Sequence, residues 1–295
     1  MNHRAFFGFL LLGSALLSAS AADYRTIKVG QRPESVTRGF DGKYFVTVMN
    51  DAKTPGDGVV KVIEGDTVKD FATGFNEPKG IAFTGQFLVA SDVKKVWKID
   101  AEGKTSVLAD EAAFPNPVSY LNDVAVSANG KVVYVTDMGA NTNMMGPKGL
   151  WPLDSHAAKT LQAIGRVYEI TLDGKVSAAV DTSELMPCPN GVTTSGSRLL
   201  VGDFFTGNIL EAYKGKLKVI TTGYRGADAI ERDGANIYVS SWTDGKVWKM
   251  DAKGQKVEVM IEGLQSAADF YLDRKTRQIV LPDMKAGVVM FIPLK

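Results

Sequence analysis

The chain has a single cysteine, Cys188, so no internal disulfide can staple it. Histidine is almost as scarce: His3 and His156 are the only two, which leaves no His and Cys cluster to hold zinc or copper. Charge imbalance is missing as well. Lys and Arg number 34, one of them Arg4, against 33 Asp and Glu, so nothing recruits nucleic acid or anionic membrane by bulk charge. Beyond residue 22 no run approaches the ~20 apolar residues of a membrane span. No sustained helical period appears there either, which disfavours a helical domain.

The one long apolar run stands at the start. Arg4 precedes Ala5 to Leu17, and the run ends in small residues, Ser18-Ala19-Ser20-Ala21-Ala22. This pattern predicts a cleaved secretory leader over 1–21 and an exported, periplasmic or secreted protein of residues 22–295, off the membrane once the leader is removed. That length suffices for one large all-β domain.

What the remaining sequence has in abundance is repetition. Gly-Lys-Val-Trp-Lys-Met-Asp-Ala-Lys-Gly at 245–254 nearly repeats Lys-Lys-Val-Trp-Lys-Ile-Asp-Ala-Glu-Gly at 94–103, and 165–174 is a third copy. Each reads as a strand followed by a tight turn. Upstream of these copies lies a second apolar strand, as at 44–48, 87–91, 133–137, 199–203, 237–241 and 279–283, and before each an innermost one. Units of about 40 residues with four short strands predict a six-bladed β-propeller, because one blade buries both faces only against its neighbours. One unit carries an insertion, 139–164; a shorter loop, 50–58, is expected on the same face. The last unit has room for only three strands, so residues 24–29 are expected to supply the fourth and seal the ring, which removes two open sheet edges. Trp97, Trp248 and Tyr168 fall at matching strand positions and are expected to pack between blades.

The starts of the innermost strands should form a ring at one mouth of the central channel. By the repeat they are Glu34, Lys79, Asn122, Asn190, Asp228 and Asp269. All are polar in settings such as Pro189-Asn190-Gly191-Val192, where burial without a partner would cost ~1–3 kcal/mol for an amide and more for a charge. Convergent carboxylate and amide oxygens suit a hard cation such as calcium, and three acids against one lysine leave two negative charges for a divalent ion to balance. An ion-paired ring bridged by Lys79 is the competing arrangement.

Glu34, Asn122 within Leu-Asn-Asp-Val, Asn190 within Pro-Asn-Gly-Val, and Asp228 resemble, in order and spacing, the calcium ligands of the gluconolactonase and regucalcin family, whose relatives include diisopropyl fluorophosphatase and the paraoxonases. The resemblance implies a six-bladed propeller and a calcium-dependent hydrolase of a lactone or related ester acting on a small-molecule substrate. On that basis Glu34, Asn122, Asn190 and Asp228 would hold Ca2+, or another hard divalent cation, and Asp228 would double as general base or nucleophile. Lys79 would stabilise the developing oxyanion. Tyr120 stands where gluconolactonase relatives often carry a sugar-binding arginine, and Lys79 where paraoxonases carry a histidine. Substrate contacts are expected from Tyr120, Asp123 and Asp269, and from Met144 and Trp151 of the insertion acting as a lid. His156 and Cys188 are expected to be structural. A non-catalytic propeller with a structural metal or an ion-paired ring is the alternative.

Overall fold

The computed structural model describes residues 24–51 and 53–294; the expected leader lies outside them. Six four-stranded antiparallel sheets follow one another along the chain, and their innermost strands pack each against the next around an axis, giving the six-bladed propeller expected from the repeat. Those innermost strands are Pro33–Arg38, Pro78–Phe83, Leu121–Val126, Pro189–Ser195, Ala227–Asp233 and Tyr271–Asp273.

Burial explains why the strands read as they do. A second strand such as Leu88–Asp92 lies mid-sheet between two neighbouring blades and is buried throughout. An outermost strand such as Lys216–Thr221 has no buried residue and carries two lysines. The core therefore lies between blades. Val89, Leu121, Val133 and Tyr168 join the second to the third, and Ile27, Val48, Val280 and Phe291 join the sixth to the first. Trp97 meets Phe75, Trp248 meets Tyr224 and Tyr168 meets Phe114 edge to face, each aromatic reaching a residue that precedes its own blade.

The two ends of the chain share the sixth blade. Arg25–Lys28 pairs antiparallel with Val288–Pro293, Ile27 opposite Val289, so the last strand is not left as an open edge there.

Hydroxyl groups tie successive blades close to the axis. Thr47 Oγ1 donates to the Lys79 carbonyl at 2.6 Å, Thr136 Oγ1 to that of Asn190 at 2.7 Å, and Ser240 Oγ to that of Ala268 at 2.9 Å; Ser91 Oγ donates likewise to Asn122. In the fourth blade this position is Gly202, and the neighbouring strands come close enough that a Cβ on Gly191 would lie 2.1 Å from the Asp228 carbonyl oxygen. The insertion joins Val132–Asp137 to Arg166–Thr171 and holds a small hairpin, Met145–Gly146 with Gly149–Leu150, and one helical turn, His156–Lys159.

Candidate functional site

The first five innermost strands are irregular at their starts. Pairing with the second strand shifts between Pro33 and Val36, Pro78 and Ile81, Leu121 and Val124, Pro189 and Val192, and Ala227 and Ile230. The extra residue re-aims the side chains at these points, a common device beside functional sites. It sets Glu34, Lys79, Asn122, Asn190 and Asp228 at one phase of five blades, all buried.

The sixth blade departs from the expected ring. Ala267 bridges Asp283 as Ala227 pairs with Ser241, so the residue in phase with Asp228 is Ala268, and Asp269 falls one position later. Asp269 thus shares its phase with Ser35 and Asp123. Nothing in Ala267-Ala268-Asp269 marks the register, and polarity alone points to the wrong residue. Asp269 accepts a hydrogen bond from Ser35 Oγ, and its carboxyl shares a hydrogen bond with that of Asp123. Asp123 also accepts from the Val124 and Val192 amides, both at 2.6 Å. These two acids line a cavity of about 330 Å³ on the axis, with Thr193, Glu231 and Arg274 further along it. Burial raises both carboxyls well above the usual range, Asp269 being raised further by the charge of Asp123 and Asp123 by that of Glu34.

Six buried side-chain oxygens among the described residues lack a hydrogen-bond partner. Four of them are Glu34 Oε2, Asn122 Oδ1, Asn190 Oδ1 and Asp228 Oδ1. Orphaned buried oxygens are rare, so four at one phase of the repeat point to an electropositive partner. Burial pushes the Glu34 carboxyl up to about 7 against the pull of Lys79 and Arg32. Asp228 is raised well above the carboxylate range by burial and by the charges of Glu34 and Asp269. A hard divalent cation fits this donor set of two carboxylates and two carboxamides. Among the described residues no three His, Cys, Asp or Glu side chains are grouped to hold a metal, so any such site depends on the two asparagines.

Other buried acids have a plainly structural task. Asp92 accepts from the Asn76 and Glu77 amides, Asp137 from Ser119 and Tyr120, Asp203 from Cys188 and Thr206, and Asp283 from Gln265 and Ser266. Each ends a second strand, and all but the Thr206 contact fasten the loop that leads into the innermost strand of the same blade. Their oxygens are occupied where those of Glu34 and Asp228 are not.

Lys79 is engaged on several sides. Its Nζ lies 2.9 Å from Met49 Sδ, 3.9 Å from Glu77 Oε2 and 4.9 Å from the centre of the Tyr120 ring. Burial pulls its pKa down, but Tyr120, Glu34 and Glu77 together raise it, so it remains an ammonium. Tyr120 donates to Glu77 Oε2 at 2.7 Å, and Arg32 approaches Glu77 at 3.8 Å. Glu77 carries no signal in the sequence; it precedes the strand as a loop residue, and only the fold brings Tyr120 and Arg32 to it.

Of the insertion residues, Met144 and Trp151 join Met138, Phe204 and Phe205 in one apolar cluster, to which Tyr120 and Trp242 also belong. Arg225 clasps the insertion there, donating to the Trp151 carbonyl at 2.7 Å and to that of Phe205 at 2.9 Å. His156 is exposed. Cys188 is fully buried in the same cluster, where burial and the charge of Asp203 raise its thiol far from ionisation.

No family model and no curated protein sequence matches the chain. Among solved structures it is similar to a gluconolactonase from Xanthomonas campestris, described as important in glucose secondary metabolic pathways, with a TM-score of 0.67 and 19% identity over 96% of this chain and 94% of that one. At that identity the likeness is one of fold.

Proposed function

We propose that the chain is a hydrolase of lactones or related esters that depends on calcium or another hard divalent cation held by Glu34, Asn122, Asn190 and Asp228. The observation that carries this reading is the set of four buried oxygens, one from each of four blades, with no hydrogen-bond partner. The gluconolactonase likeness in fold agrees with it. A bound divalent cation would supply Lewis-acid polarisation of the substrate carbonyl.

The chain's own groups complete the chemistry. Asp228, ionised once a cation is bound, accepts a proton from the attacking water or attacks the carbonyl carbon itself. Lys79, kept charged by its neighbours, stabilises negative charge developing on the carbonyl oxygen. Ring opening yields a hydroxy acid. The near-complete burial of the ring favours a second reading, a structural cation in a non-catalytic propeller.

Thermal melts in EDTA and in added calcium test the cation: binding to the native state alone must raise the melting temperature. An unmoved melt removes the metal from the proposal. Turnover of aldonolactones, aliphatic lactones and aryl esters by wild type and Asp228→Ala then separates enzyme from scaffold, since equal rates in both proteins exclude Asp228 and no turnover at all favours the scaffold.

A further inference from the structure

The residue that follows each second strand is apolar in all six blades: Met49, Val93, Met138, Phe204, Trp242 and Met284. Turn positions just past a strand are usually polar, so six apolar residues at one phase call for a common cause. Backbone bonds fix them near the ring. The amide of Met49 donates to Arg32, that of Met138 to Tyr120, that of Phe204 to Cys188 and that of Trp242 to Gly226, in each case the residue two before a ring residue. Met49 Sδ touches Lys79 Nζ, and Met138 Sδ lies 2.8 Å from Asn122 Nδ2. Met138, Phe204 and Trp242 share one apolar cluster with Leu150 and Trp151 of the insertion, and Trp242 Nε1 lies 3.2 Å from Met284 Sδ, so these residues form an apolar collar beside the ring.

We infer that this collar selects an apolar substrate, a lactone or ester bearing an alkyl or aryl substituent, and rejects polyhydroxylated sugar lactones. The inference rests on the hydrolase reading of the same ring and narrows it. Outside the four residues proposed to hold the cation, the polar side chains here are engaged: Glu77 takes Tyr120, Lys79 and Arg32, while Arg225 is spent on the Trp151 and Phe205 carbonyls. Sugar hydroxyls would meet thioethers and aromatic rings and leave their hydrogen bonds unmade. An alkyl chain meets soft, adaptable methionines that reshape around it.

The test compares γ-nonalactone with glucono-δ-lactone as substrates, and a pentyl-substituted pyrrolidinone with a sugar lactam as non-hydrolysed ligands, in the calcium-loaded protein. Binding is followed by tryptophan fluorescence and calorimetry. The expected result is a preference of about 100-fold for the alkyl compound in kcat/KM. Trp151→Ala should weaken pyrrolidinone binding about tenfold and leave the calcium-induced melting shift intact. Arg225→Ala, which loosens the same wall without removing a ring, should do so to a smaller extent. Equal or better use of the sugar compounds overturns the inference and leaves the hydrolase standing. Failure to hydrolyse either lactone, with a calcium-shifted melt, overturns the hydrolase reading and the inference with it.

Discussion

Asn122 Nδ2 donates to the Met138 thioether at 2.8 Å, which leaves Asn122 Oδ1 as the amide atom without a partner. The contact orients a candidate ligand through a residue that is not one. Met138→Leu keeps the volume and removes the acceptor. Calcium affinity, read by calorimetry, is expected to fall about tenfold, as for other residues that orient metal ligands. Unchanged affinity would show that the sulfur does not hold the amide.

Stability in EDTA should fall as pH rises. Glu34, pushed up to about 7, and Asp228, raised as well, keep protons in the folded chain that the unfolded chain releases near its ordinary carboxyl values. The folded state therefore binds more protons between about pH 4 and pH 7, and stability declines through that window by up to about 1.4 kcal/mol per pH unit for each group. In the proposed site calcium would take the place of these protons, so its affinity should rise with pH over the same range. Melting curves at pH 5 and pH 8, with and without calcium, check both signs; a metal-free melt that rises with pH refutes the assignment.

Asp228→Asn removes a buried charge but keeps the shape. In EDTA at pH 8 the variant is expected to melt above wild type, since neutral amide replaces a desolvated carboxylate. In calcium the order should reverse, and lactone hydrolysis should be lost. A variant that melts below wild type in EDTA would mean that the carboxylate is satisfied without a cation.

Asp283→Ala should do the opposite. It leaves the Gln265 and Ser266 amides without their acceptor and is expected to cost about 2–4 kcal/mol in denaturant unfolding. Calcium affinity should stay within about threefold of wild type, because no ring residue depends on that carboxyl.

The blades are legible in the sequence because apolar strands and Gly turns recur with a period, and closure follows from a missing fourth strand. Register in the sixth blade is not legible: Ala268 occupies the ring phase, and nothing in Ala267-Ala268-Asp269 separates it from its neighbours. Glu77 cannot be found there either, since its partners Tyr120 and Arg32 reach it only through blade packing. The collar does leave a signal, an apolar residue after every second strand where a turn former is usual, but it gains meaning only once those positions are seen to circle the ring.

The pairing of Arg25–Lys28 with Val288–Pro293 bears on biosynthesis. The first of these segments is translated ahead of every ring residue and the second after all of them. In a nascent polypeptide the circle of blades therefore stays open until translation has delivered the strand that the first segment pairs with.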